Sequence, residues 1–172
     1  MDPNEPFDVV DEHDNVIGRA SRAEVHAKGL MHRSVFFFVF NEHGEAFVSQ
    51  RSHDKEFDKG CWSVSLGGHV GSGESYDKAV RREAKEEAGI SGEPVFIKSF
   101  KNRLRGKDKE NVRLYYFVTD NDLKIDRDEL VQGRFMGMDE IRELMGKERF
   151  IPETGELFEI LKNNPALPCN RK

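Results

Sequence analysis

Between Gly68 and Ile90 the chain sets charges at fixed intervals: Glu74, then Arg82 and Glu83, then Glu86 and Glu87, with Gly89 closing the run. Glu83, Glu86 and Glu87 stand at i, i+3 and i+4, positions that share one face of an α-helix. Three carboxylates crowded there repel one another unless a cation sits among them, and a divalent ion with oxygen ligands is the economical partner. The neighbouring residues favour the helix. Ser75 can accept an orphan backbone N–H of the first turn. Asp77 complements the positive end of the helix dipole. Ala79 to Ala88 all tolerate or favour helix, and Gly89 suits a left-handed stop. Val80, Ala84 and Ala88 form a narrow apolar stripe that lets the helix lie close to a sheet, with the carboxylate arc turned towards a cleft beside it. Gly68, Gly71 and Gly73 make the preceding loop one that can bring backbone close to a metal or a phosphate.

The rest of the chain limits the setting. A length of 172 residues fits one domain with a full core, and thirteen phenylalanines supply bulk for it. A net charge of −5 argues against stable binding to nucleic acid, although bound metal would still admit an anionic substrate. Two cysteines, Cys61 and Cys169, are too few for a disulfide scaffold. The acidic start Met1–Pro6 has no apolar core of a signal peptide, and no run approaches the ~20 apolar residues of a membrane span. The cytoplasm is the expected location.

Periodicity predicts strands over Phe7–Val10 and Val16–Ala20 around an Asp11–Asn15 turn. A capping-box pattern, Ser21-Arg22-Ala23-Glu24, predicts a helix to about Ala27. Ser34–Phe40 is nearly continuous apolar sequence, as in a central strand buried on both faces. Asn41–Gly44 is a hairpin turn leading to a strand over Ala46–Gln50, and Arg51–Gly60 is a charged loop. Further strands are expected at Trp62–Leu66, Pro94–Phe100, Val112–Thr119 and Gly133–Met136, with Lys101–Asn111 as a charged connection. Met138–Met145 and Pro152–Lys162 read as helices, and Asn163–Lys172 as a loose tail. Residues 1–30 are thus an N-terminal extension, 31–163 the main domain and 164–172 a tail. The extension is expected to offer strands for a homodimer. Helices on both sides of a mixed sheet are the expected layering.

The spacing of Gly68, Glu74, Arg82, Glu83, Glu86, Glu87, Gly89 and Ile90 resembles the box of the Nudix family, G-x5-E-x7-R-E-U-x-E-E-x-G-U. Ala84 is small where the pattern asks for a bulky aliphatic residue. The resemblance implies an α/β/α sandwich and hydrolysis of a diphosphate linked to another moiety, often in a nucleotide. It implies Mg2+, or Mn2+, held by Glu83 and Glu87 with Glu86 assisting and the backbone near Gly68 joining the shell. Glu74 and Arg82 become a bracing pair. In this family the catalytic base can lie on the box helix, here among Glu83, Glu86 and Glu87, or on a later loop, where Glu110 in the charged connection is the candidate.

Outside the box, residues 7–120 are similar to the branch that includes isopentenyl-diphosphate isomerase. By that likeness His32 and His69 match metal-binding histidines, with His26 near a third, and Arg51 and Lys55 match residues that grip a diphosphate. The isomerase needs a cysteine directly before the Gly68-His69 pair, where this chain has Gly67, and its later acid has no clear match near Val112 and Arg113. The expectation is therefore a hydrolase acting on a small diphosphate, with an isomerase or a non-catalytic nucleotide-binding module as alternatives. The loops Arg51–Gly60 and Lys101–Asn111, with Phe57, Arg103 and Arg105, would set specificity.

Overall fold

The long apolar run forms the centre of the molecule. In the computed structural model, which describes residues 2–54, 57–103 and 108–170, it becomes β3 (Met31–Phe40). β3 pairs in parallel with β8 (Lys109–Val118), from Met31 opposite Lys109 to Phe40 opposite Val118. β7 (Val95–Asn102) lies antiparallel outside β8. On the other side β4 (Ala46–Arg51) returns from β3 and pairs with β5 (Trp62–Ser63) and β9 (Leu130–Met136). β6 (Leu66–His69) pairs antiparallel with the first half of β3. The sheet is mixed, as expected.

Side chains alternate across β3, so its two faces feed two cores. Val35, Phe37 and Val39 meet α2 (Tyr76–Ala88), the box helix, whose Val80, Ala84 and Ala88 are buried against them. Each such valine or phenylalanine taken out of water contributes about 1.5–3 kcal/mol. Phe38 and Phe40 meet α3 (Met138–Met145) and α4 (Thr154–Asn163) through Ile141, Leu157, Phe158 and Leu161. The layering is α/β/α. The ends of α2 follow the sequence: Ser75 Oγ accepts from the Lys78 N–H at 3.3 Å, and Gly89 closes the helix at φ 69°.

β1 (Pro6–Val10) and β2 (Val16–Ser21) make a separate antiparallel ribbon that leads into α1 (Arg22–Lys28). Ser21 caps α1 by accepting from the Glu24 N–H, but the Glu24 side chain turns to Lys28, so only half of the expected capping box forms. The ribbon is built into the main body. Phe7 is fully buried, and the Ser72 N–H donates to the Pro6 carbonyl at 2.9 Å. Asp8 accepts from Ser72 Oγ at 2.6 Å and from the Gly73 N–H at 2.9 Å, which ties the ribbon to the box loop. Val16 and Ile17 on β2 stay exposed.

Three expectations need correction. The single strand over Trp62–Leu66 is two, because Ser63 Oγ donates to the Ser65 carbonyl and accepts its N–H, a local turn that sends β5 to β4 and β6 to β3. β8 starts at Lys109, so Glu110 stands on a strand rather than in a connection. The tail packs: Leu167 is fully buried, and Asn170 Nδ2 donates to the carbonyls of Leu161 and Asn164.

Candidate active site

One cleft of about 1250 Å³ opens where β6, the box loop and α2 meet. Glu83, Glu86 and Glu87 line it together, as their spacing requires. Their burial differs: the Glu83 side chain is 14% exposed and that of Glu86 60%. Glu83 sits directly over Gly68, where any added Cβ would lie 2.3–2.5 Å from its carboxylate atoms. Gly68 is a glycine because a glutamate occupies the space of its side chain. Glu87 Oε2 accepts from the Gly67 N–H at 3.2 Å. Burial pushes the Glu83 carboxyl above its ordinary range, against the opposing pull of Arg82.

Arg82 braces loop and helix as expected. Nε and Nη2 donate to the two Glu74 oxygens at 3.1 and 2.9 Å, a forked pairing, and Nη2 also donates to the His69 carbonyl at 3.0 Å. Nη1 reaches Glu83 at 2.6 Å and Glu86 at 3.3 Å. Its hydrogen bond with Glu74 leads the effects that raise the guanidinium's pKa still further. Burial alone would raise the Glu74 carboxyl, but Arg82 and the Gly71 N–H hold it below the usual carboxylate range. Arg51 lines the same cleft, its Nη2 3.5 Å from the Phe57 carbonyl oxygen. Lys55 and Arg105 lie outside the described residues.

The three histidines converge. One ring nitrogen from each of His26, His32 and His69 lies within 4.8 Å of the others, and His32 makes a second such group with Asp108 and Glu110. His32 is opposite Glu110 in the β3–β8 register, and His69 is opposite Ser34 in β3–β6. Glu110 is fixed by Ser34 Oγ at 2.5 Å and Asn102 Nδ2 at 2.7 Å, and its Oε1 stands 3.9 and 3.8 Å from Nε2 of His32 and His69. Among the described residues, His32 Nε2 and Asp108 Oδ1 are buried with no hydrogen-bond partner. Burial keeps the His32 imidazole below its ordinary pKa, hence neutral. Neutral imidazole nitrogens and carboxylate oxygens are the donor set of a transition-metal or zinc site.

Sequence reading missed Asp108, Phe7 and Arg22. Phe7 stacks on His69 and His32 at centroid distances of 4.9 and 5.7 Å, and Arg22 Nη1 is 3.1 Å from His69 Nδ1. The alternation of Asp108 and Glu110 was the available signal, since residues two apart share a strand face. Phe7 and Arg22 reach the cluster only through the docking of the ribbon, which no local pattern announces.

The molecule is an α/β/α sandwich that presents a helix of carboxylates over a glycine loop. The chain belongs to the Nudix family: the NUDIX domain model matches residues 30–155. It is 45% identical over 91 residues to an uncharacterised Nudix hydrolase of Streptomyces coelicolor, covering 53% of this chain and 50% of that one, so it spans about half the length of that relative. It is 32% identical over 128 residues to isopentenyl-diphosphate Delta-isomerase 2 of Photorhabdus laumondii, covering 74% and 65%. A crystal structure of DR0079 from Deinococcus radiodurans superposes with a TM-score of 0.78 at 25% identity, covering 90% of this chain and 98% of that one. The NUDIX domain of Shewanella oneidensis NrtR, complexed with ADP ribose, shares the fold with a TM-score of 0.62 at 15% identity, covering 83% and 97%.

Proposed function

We propose that the chain is a metal-dependent hydrolase that splits the diphosphate link of a nucleoside diphosphate joined to another moiety, by attack of water on phosphorus. The observation that carries this reading is the seating of Glu83 against Gly68, with Glu87 held on the Gly67 N–H and Glu86 at the rim of the same cleft. Those residues fit a hard divalent cation. Glu83 and Glu87, assisted by Glu86 and the Gly68 backbone, would hold Mg2+, or Mn2+. Such ions, when bound, neutralise phosphate oxygens and acidify an attacking water. Arg82 holds the helix and loop in register while its own charge is spent on carboxylates. Arg51 offers a planar fork of donors to a phosphate from the cleft wall.

The isomerase alternative meets a steric obstacle. A Cβ on Gly67 would lie 2.2 Å from the Val35 carbonyl oxygen and 2.9 Å from Phe36 Cδ1, so the place of the isomerase cysteine has no room for a thiol. The intact carboxylate set speaks for catalysis over mere binding. Among the described residues no helix is long and apolar enough to cross a membrane, and we place the enzyme in the cytoplasm on composition.

A second reading concerns the histidines. The orphaned His32 Nε2 and Asp108 Oδ1 favour a second divalent ion held by His26, His32, His69, Asp108 and Glu110. Donors on both Glu110 oxygens stabilise its charged form, which suits a ligand better than the proton acceptor expected from sequence. Metal analysis after purification in Mg2+ alone tests this: a transition metal or zinc at about one per chain supports it, and none counts against it.

For the main reading, the protein is offered a panel of nucleoside diphosphate derivatives with Mg2+, and phosphate products are measured with and without chelator. Release that chelator abolishes, and that Glu87→Gln lowers about a hundredfold or more with the fold intact, is the expected result. Release indifferent to either treatment overturns the reading, and an allylic double-bond shift without phosphate release would favour the isomerase.

A further inference from the structure

Side chains alternate along β4, and on one face the strand runs from the core into the cleft. Phe47 faces α2 and is buried in the core there. Ser49 and Arg51 follow on the same face, and both line the cleft. Ser49 is paired with Ser63 of β5 on one side and with Gly133 of β9 on the other. The space over Gly133 is taken by the Phe47 ring, since an added Cβ there would lie 2.1 Å from Phe47 Cζ. Ser49 and Ser63 therefore make the floor of a recess. The two serines differ in one respect. Ser63 Oγ is spent on Ser65, donating to its carbonyl at 2.7 Å and accepting its N–H at 3.1 Å. Ser49 is 1% exposed, and among the described residues its hydroxyl takes part in no hydrogen bond. A buried hydroxyl without a partner costs stability, and alanine would fill the same place without that cost.

We propose that Ser49 is a specificity-determining residue, whose hydroxyl bonds the edge of the heterocyclic base carried by the substrate. This rests on the nucleotide part of the reading above and names what reads the base. The recess suits a group that is flat, apolar on its faces and polar at its rim. Leu66, Leu130 and Ile151 line the cleft and offer apolar contact. Phe57, 51% exposed on the same cleft, offers a ring for stacking. Arg51 stands two residues beyond Ser49, where its fork can hold a phosphate while the base takes the recess. The Ser49 hydroxyl can donate one hydrogen bond and accept two, so it fits either kind of atom on a base edge. A hydrocarbon chain would cover that hydroxyl without answering it. A sugar would answer it but leave the apolar walls unmatched.

Ser49→Ala in the full chain with Mg2+ tests this. Its hydroxyl makes no bond within the fold, so the thermal midpoint of the variant should equal or exceed that of the wild type. The preference in kcat/KM for a nucleoside diphosphate derivative over its counterpart with ribose but no base should fall about tenfold or more, chiefly through KM. An unchanged preference overturns the proposal, whether both compounds lose equally, which gives the hydroxyl to sugar or phosphate, or neither loses. A lowered midpoint makes the serine structural and overturns it as well. Calorimetric binding of a methylene-bridged nucleoside diphosphate separates this from the hydrolase reading. If that analogue binds about tenfold or more weaker to Ser49→Ala but no compound is turned over, the recess stands and the hydrolase reading falls. If turnover is abolished by chelator but wild type and variant bind the analogue alike, the hydrolase stands and the recess falls. A wild type that binds no analogue at millimolar concentration overturns the proposal too.

Discussion

The box helix and the histidine cluster face one cleft but are built on opposite principles. The carboxylates come from a single stretch of chain on α2, and an arginine answers them within the same helix. The histidines come from α1, β3 and β6, and their carboxylate neighbours from β8 and the residue before it. By strand alternation they also approach from different faces of the sheet. Gly68 is opposite Val35 on the α2 side, whereas His69 is opposite Ser34, on the face that continues into Phe36 and Phe38. One half of the site is local, with Glu86 exposed at its rim, and the other is non-local, with His32 and Glu110 buried at its centre. The first depends on spacing and the second on docking.

That contrast can be broken at graded cost. The largest effect is expected for Phe7→Ala, which removes a fully buried ring stacked on two histidines. Denaturant unfolding should show a loss of about 3–5 kcal/mol, and a loss under about 1 kcal/mol would mean that the ribbon is not integral. Glu83→Gln should act on turnover instead. A fall of about a hundredfold, or about 2.7 kcal/mol in the barrier, is expected with an unfolding midpoint close to wild type. Burial already disfavours the Glu83 charge, so a neutral isostere relieves that cost. A collapsed fold in that variant would show that the local half is structural after all. Gly67→Cys should destabilise by about 1–3 kcal/mol through its clash with the Val35 carbonyl, without isomerase activity appearing.

The smallest effect concerns acid. Burial alone would raise the Asp8 carboxyl, but Ser72, the Gly73 N–H and Arg19 hold it below its ordinary value. Glu74 is likewise held down by Arg82 and the Gly71 N–H. A depressed carboxyl stabilises the fold fully above its unfolded pKa and loses that contribution as pH falls through the folded value. Thermal midpoints should therefore drop below about pH 4.5, and Asp8→Asn should make the drop shallower. An identical slope in the variant would remove Asp8 from the acid response.

What could be read without coordinates follows the same division. The Glu74–Arg82 brace, the Ser75 cap and the carboxylate face of α2 depend on contacts within a few turns, and spacing encodes them. The apolar run of β3 announced a strand covered on both sides. The break between β5 and β6 turns on one serine hydroxyl bonded to Ser65, a choice that apolar patterning does not register. Glu110 was chosen but misplaced, because the start of β8 is charged and polar, Lys109-Glu110-Asn111, and is made a strand by pairing with β3 rather than by propensity. The packed tail likewise depends on Asn170 finding the end of α4.

The parallel union of β3 with β8 has a consequence for biosynthesis. β3 and the whole box helix leave the ribosome well before β8, at roughly 5–20 residues per second. Until β8 arrives, one long margin of the most apolar strand has no neighbour, and such an open margin invites pairing with other chains. A message truncated just after the box would yield a polypeptide with every box carboxylate in place, no Glu110 to set beside His32, and a strong tendency to aggregate. Nascent-chain crosslinking should therefore find chaperones on β3 until β8 is complete.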